Sequence, residues 1–227
     1  MEEIQLWKAC KDGKVEDVQN LLQNSQINTN WHDSEYSRTP FYRACFFGHI
    51  EIVELLLNDE RVDVNKANVD GTTPFYVACR NGHIKTVKLL LNNSRVDINK
   101  ARDDGLTPFH IACQEGYINI VKLLLNDQRI DINQVNNSGA TPFYVACERG
   151  HIEIVKLLLN DKSVDINKEN TNEVTPLYIT CEKGHIETTK LLLSDKKVEV
   201  NKANEYGATP FYIACQNGHL DVVKLLL

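Results

Sequence analysis

Five times in this chain a cysteine precedes a histidine by four residues: Cys45/His49, Cys79/His83, Cys147/His151, Cys181/His185 and Cys215/His219. A thiolate and an imidazole at that spacing could begin a zinc site. Three features argue against it. A glycine (Gly48, Gly82, Gly150, Gly184, Gly218) stands just before each histidine, so a helix carrying the cysteine ends there and the pair need not share a face. A structural zinc takes four ligands. A sixth copy, Cys113 with Tyr117, has no histidine. The cysteines also make poor candidate nucleophiles. A catalytic centre is singular and asymmetric, whereas this pattern recurs nearly unchanged. No Ser/His/Asp set, glycine-rich phosphate loop or paired-carboxylate cleft accompanies it. The expectation is a protein that is not an enzyme, with no metal and no cofactor. Its cysteines would be small buried fillers and its histidines hydrogen-bonded near a turn.

The elements that place these residues follow from the period. Cys45 to Cys215 advance in steps of 34 residues, and the first gap, Cys10 to Cys45, is 35. All six prolines follow a threonine at the same step: Thr39-Pro40, Thr73-Pro74, Thr107-Pro108, Thr141-Pro142, Thr175-Pro176 and Thr209-Pro210. Thr is a good helix N-cap and Pro suits the first helical position, so each Thr-Pro starts a helix such as "TPFYVACRN". Gly82 stops it. A second helix, "HIKTVKLLLN", carries Ile84, Val87, Leu90 and Leu91 at helical spacing. The stretch "SRVDINKARDDG" then predicts an extended arm with a tight turn at Asp104-Gly105. Neither helix is long enough to be stable alone. Each pair must bury its apolar face on the next, which explains the recurrence. The period divides 1–227 into one domain of about seven units: 1–35, 36–69, 70–103, 104–137, 138–171, 172–205 and 206–227. The first is degenerate and the last is truncated.

The segment "DGTTPFYVACRNGHIKTVKLLL" resembles the ankyrin repeat, with its Gly-x-Thr-Pro start, Gly-His turn and Val-x-x-Leu-Leu second helix. The resemblance covers essentially the whole chain. It implies an all-α solenoid of helix-turn-helix units with β-hairpin tips, a structural role for the turn histidine, and protein binding on a concave face. Family members can also be hydroxylated at the asparagine matching Asn65, Asn99, Asn133, Asn167 and Asn201. The chain departs from the family pattern in several places. Phe-Tyr replaces Leu-His except at Phe109-His110. Cys replaces the second Ala, and one extra residue sits around Leu56 to Arg61. Glu173 stands where Gly71, Gly105, Gly139 and Gly207 occupy the tip. It must take a positive φ or alter its hairpin, and the expectation is a locally altered hairpin between the fifth and sixth copies.

The stripe Phe41, Phe75, Phe109, Phe143, Leu177, Phe211 and the "LLL" runs are expected in the core. Tyr42, Tyr76, Tyr144, Tyr178 and Tyr212 are expected to form a partly buried column with satisfied hydroxyls. The asparagine column should hydrogen-bond between successive arms. Glu153/Lys156, Glu187/Lys190 and Asp221/Lys224 read as a solvated outer face.

The copies differ mainly at two places, the hairpin tip and the two residues before the glycine that ends the first helix. Such variation has two readings, neutral drift at exposed sites or a partner-binding surface projecting to one concave side, and the second makes candidates of Tyr36, Phe46, Phe47, Val69, Asp70, Arg80, Asn81, Asp103, Asp104, Gln114, Glu115, Asn137, Ser138, Glu148, Arg149, Glu182, Lys183, Tyr206, Gln216 and Asn217. Phe46-Phe47 allows two readings: an exposed hot spot, or packing on the irregular first hairpin near Trp31 and Tyr36. With Tyr36 and Tyr206 these aromatics are candidate anchors.

The composition, 42% hydrophobic and 25% charged with a net charge of −6, excludes a disordered chain. Without a basic stripe or a long apolar run, neither nucleic-acid binding nor membrane insertion is expected. An odd set of evenly spaced cysteines and an acidic start imply an intracellular, cytoplasmic or nuclear protein. The expected function is that of a monomeric adaptor or scaffold for a protein partner. Alternatives are a targeting region of a larger enzyme, a host-directed effector or inhibitor, or a structural spacer. The apolar helix "DVVKLLL" at the C-terminus is expected to be covered by further sequence or another chain.

Overall fold

A computed structural model describes residues 1–227. It contains fourteen α-helices and no β-strand. They are α1 (Glu2–Asp12), α2 (Val15–Leu22), α3 (Pro40–Phe47), α4 (Ile50–Leu57), α5 (Pro74–Arg80), α6 (Ile84–Leu91), α7 (Pro108–Gln114), α8 (Ile118–Leu125), α9 (Pro142–Arg149), α10 (Ile152–Leu159), α11 (Pro176–Lys183), α12 (Ile186–Leu193), α13 (Pro210–Gln216) and α14 (Leu220–Leu226). The chain divides into two compact units, Met1–Pro108 and Phe109–Leu227. Each is an all-α solenoid of stacked helix pairs. In the first, α1, α3 and α5 pack side by side as one layer, and α2, α4 and α6 as a second. In the second, α9, α11 and α13 form one layer, and α8, α10, α12 and α14 the other.

Local chemistry sets the helix boundaries. The hydroxyl of Thr39 accepts the N–H of Tyr42 at 3.0 Å, and Thr73, Thr141, Thr175 and Thr209 repeat the bond to Tyr76, Tyr144, Tyr178 and Tyr212 at 3.1–3.2 Å. Proline follows each of these caps at the first helical position. The first helix ends at a glycine for two reasons. Gly48, for example, lies in the left-handed region at φ 70°. A Cβ there would also sit 2.6 Å from the ring of His83 in the next pair.

The interior is filled by columns. Phe41, Phe75, Phe109, Phe143 and Leu177 are buried, as expected, with Ile52, Val53 and Leu56 as second-helix counterparts. Burying each such side chain is worth about 1.5–3 kcal/mol before entropy is charged. Phe211 departs from its stripe. It is 38% exposed, because α11 covers only one side of α13. Tyr42, Tyr76, Tyr144 and Tyr178 are buried while Tyr212 is 56% exposed, for the same reason. Six of the seven free cysteines are buried and Cys215 is exposed. Burial pushes those thiols up, to about 12 at Cys181, where the Thr189 hydroxyl partly offsets it. Of the outer acid–base pairs only Asp221/Lys224 closes, at 2.9 Å, and both partners are largely exposed.

The tips are turns rather than strand-bearing hairpins. Each closes on a hairpin-type backbone bond, such as Asn136 N–H to Ala140 O at 3.0 Å, with too few pairs to make a ladder. The extra residue in the first gap is absorbed here as well. Asp33 accepts the N–H groups of Tyr36 and Arg38, five residues on, where Asn68 accepts those of Asp70 and Thr72, four residues on. At Glu173 the altered hairpin did not materialise. Glu173 takes φ 57°, and the bond from Asn170 N–H to Val174 O is kept at 3.1 Å. Ser37, the counterpart of Gly71, does the same at φ 56°.

Candidate partner-binding face

Within the units, three sets of side chains hold helix pairs on the ones before them. The first is the turn histidine. Nε2 of His49, His83, His151, His185 and His219 donates to the carbonyl of Lys11, Phe46, Gln114, Glu148 and Glu182, respectively, at 2.8–3.1 Å. The histidines and cysteines therefore have separate structural roles, and no group of three or more His, Cys, Asp or Glu side chains is arranged to hold a metal. The second set is the arm asparagine. Nδ2 of Asn65 donates to Arg95 O at 2.7 Å while its Oδ1 accepts the Asp97 N–H at 2.8 Å. Asn133 and Asn167 make the same two-pronged clamp on Ser163/Asp165 and Lys197/Glu199. The third set is arginine. Arg61 reaches back to Leu22 O and Asn24 O at 3.1 and 3.0 Å, and Arg95 to Leu57 O at 3.2 Å, neutralising the carbonyl end of the second helix before them.

Both variable places border the tyrosine column. Phe46 stacks on Tyr42 with ring centroids 6.4 Å apart, and Phe47 meets Phe46 edge-on at 4.9 Å and stacks on His49 at 5.8 Å. Phe47 is 39% exposed. Trp31 pairs instead with Trp7, edge to face at 6.4 Å. From the tip side, Nδ2 of Asn170 donates to the Tyr144 hydroxyl, and Nδ2 of Asn204 to that of Tyr178, both at 3.3 Å. In each unit the variable places thus border a tyrosine floor, with a helix end against Tyr42 in the first and the tips against Tyr144 and Tyr178 in the second.

The structure divides the candidates by what they are free to do. Phe47, Tyr36, Val69 and Tyr206 are exposed apolar or aromatic groups, Tyr206 at 83%. Arg80, Glu115, Arg149, Lys183, Asn137, Ser138, Asp103 and Asp70 are exposed, while Phe46, Gln114, Glu148, Glu182 and Asp104 are half-buried. Asn81 and Asn217 also brace the stack, since their amides donate to Phe46 O and Glu182 O at 2.8 and 3.0 Å. Gln114 bonds its neighbour Glu115 at 3.1 Å, Lys183 pairs with Glu182 at 3.2 Å, and Asp104 pairs with Arg102. Gln216 is exposed beside Asn217.

The charge around the floor differs between units. Burial raises the phenol of Tyr42, and the positive charges of Arg80, Arg38 and Arg43 pull it the other way. Burial also raises Tyr144, and the negative charges of Glu148 and Glu182 push it further up. The charges that act on Tyr42 are therefore mainly those of arginines, and those that act on Tyr144 are those of glutamates.

This architecture matches one known family. A family model described as "Ankyrin repeats (3 copies)" matches residues 6–102, 94–170 and 162–227. The chain belongs to the ankyrin repeat family. Ankyrin repeats are in general protein–protein interaction modules. No helix is long and apolar enough to cross a membrane.

Sequence reasoning passed over Arg43. It breaks the otherwise aliphatic column Val77, Ile111, Val145, Ile179, Ile213, and that break was readable. It passed over Asn68, Asn136, Asn170 and Asn204 as well. Their regular Asn-x-x-Gly/Glu spacing marks the side chains that accept the tip N–H groups.

Proposed function

We propose that this ankyrin repeat chain is a non-catalytic adaptor or scaffold module whose units bind a protein partner over their tyrosine floors, beside the helix ends and tips. The observation that carries the reading is the contrast between the two kinds of column. Phe, Thr-Pro, Cys, His and Leu recur from pair to pair as packing, while the residues beside the floor vary from Phe46-Phe47 through Arg80-Asn81 and Gln114-Glu115 to the acid–base pairs Glu148-Arg149 and Glu182-Lys183. Folding does not require that variety, and selective docking does. The exposed aromatics Tyr36, Phe47 and Tyr206 supply anchors. A surface held by backbone carbonyls and clamps is pre-ordered, so little conformational entropy is lost on docking. The free, mostly buried thiols fit a reducing, intracellular setting.

The test is cross-linking and affinity capture from the native source with three baits: wild type, Phe46→Ala/Phe47→Ala/Arg80→Ala/Glu148→Ala, and the outer-face control Lys224→Ala. Partners held by wild type and control but lost by the floor variant support the reading. Partners retained equally by all three would overturn it.

A further inference from the structure

Arg43 lies on α3, one helical turn before Phe46 and Phe47, in a column that is aliphatic in the five following pairs. It is 8% exposed. Its guanidinium lies over the Trp7 ring, 4.4 Å from the centroid, yet it has no ion pair, and its Nε is buried without a hydrogen-bond acceptor. Stacking on an indole holds a guanidinium in place but leaves its in-plane N–H groups unmet. Neither of the two acids acting on Arg43, Asp33 and Glu35, forms an ion pair with it. Asp33 is bound by Arg38 at 3.0 Å and by the N–H groups of Tyr36 and Arg38. Arg38 in turn lies over Tyr36, 4.1 Å from its ring centroid. Arg80 adds a third positive charge acting on Tyr42. A guanidinium whose Nε–H is buried without an acceptor is costly, and an apolar residue at this position would pack as its column mates do.

We propose that Arg43 is a carboxylate-recognition subsite for an acidic peptide segment of the partner. The Arg43 Nη–H groups receive a Glu or Asp side chain, Arg80 steers it, and Phe47 and Tyr36 take a flanking apolar or aromatic residue. A carboxylate satisfies a guanidinium fork with two parallel bonds, and the exposed aromatic rim selects a peptide over a bare anion. The assignment rests on the binding-module reading and adds the chemistry of what is bound at its first unit.

Of the chain's only two tryptophans, Trp7 lies against Arg43 and Trp31 packs on Trp7, and together they provide the readout. Wild type, Arg43→Val and Arg43→Lys are titrated with an acetylated, amidated peptide alternating Phe and Glu, with its Gln counterpart, and with inorganic phosphate, following tryptophan emission. The expected result is a saturable change with the Glu peptide, weakened at least tenfold by the Gln peptide and by Arg43→Val, and weakened less by Arg43→Lys. Arg43→Val restores the column residue, and an unchanged helical circular dichroism spectrum confirms its fold. Equal binding of the Glu peptide to Arg43→Val, no saturable change in wild type, or phosphate binding as tightly as the peptide would each overturn the proposal. In the capture experiment, a partner lost with Phe46→Ala/Phe47→Ala but kept by Arg43→Val sinks this subsite and leaves the module reading standing.

Discussion

Replacing Glu173 with glycine should stabilise this protein, although it removes a side chain. Glu173 holds φ 57° in a turn where Gly71, Gly139 and Gly207 take 75–77°. For an L-residue the left-handed region costs about 1–2 kcal/mol. Glycine lacks that cost but loses about 0.4–1 kcal/mol more backbone freedom on folding. The balance favours Glu173→Gly by about 0.5–1 kcal/mol, or a rise of about 1–4 °C in Tm for a chain of this size. A matched pair checks the reasoning. A Cβ on Gly207 meets nothing within 4 Å, so Gly207→Ala should cost the same 0.5–1 kcal/mol in reverse. A Cβ on Gly139 lies 2.7 Å from the backbone nitrogen of Thr171, so Gly139→Ala should cost clearly more. Urea unfolding followed by circular dichroism measures all three, with an unchanged slope required for a fair comparison. A lower midpoint for Glu173→Gly, or equal costs for Gly139→Ala and Gly207→Ala, would refute the assignment of strain to the tip.

Other outcomes follow from the inter-pair bonds. His83→Ala removes the 2.8 Å bond to Phe46 O and should cost about 0.5–1.5 kcal/mol in urea unfolding, because the Asn81 amide still meets that carbonyl. Asn167→Ala loses both prongs of its clamp and should accelerate amide exchange at Glu199, whose N–H it accepts. Asp33 gives a pH dependence. Burial acts to raise its carboxyl, but the Arg38 guanidinium and two N–H groups outweigh that and hold it at about 2. Its folded value lies below its unfolded one, so this stability is present above about pH 4 and is lost as the pH falls towards 2. Asp33→Asn should lower stability at pH 7 by about 1–2 kcal/mol and flatten that acid limb in pH-dependent thermal unfolding. A thiol reagent at neutral pH should label Cys215 rapidly and the other six cysteines only on unfolding, with mass spectrometry locating the adduct.

The fold was legible because its determinants are local and recur. Thr-Pro and Gly-His specify a helix start and stop without distant context, and the structure places them there, while of the leucine runs it buries Leu56, Leu90, Leu124, Leu158 and Leu192 but none of Leu225, Leu226 and Leu227. Glu173 shows the limit. Its residue type left open a positive φ or a different turn. The choice was made by Asn170, whose side chain accepts the N–H groups of Asn172 and Val174 and holds the turn. The rim of the tyrosine floor was legible as variability alone. That Asn81 and Asn217 bond back to the preceding pair, and that Phe46 stacks on Tyr42, depends on distances between side chains, which no single copy encodes. Arg43 was visible as a misfit, but its lack of an acidic partner was not, since that depends on Arg38 having already taken Asp33.

The histidine bonds have a consequence for how such a surface can change. Their acceptors are main-chain oxygens at Lys11, Phe46, Gln114, Glu148 and Glu182, five positions with four residue types. Every amino acid carries that oxygen, so a mutation at any of these sites rewrites what a visitor meets while leaving the joint between neighbours intact. Recognition can therefore drift one position at a time without the architecture having to be renegotiated.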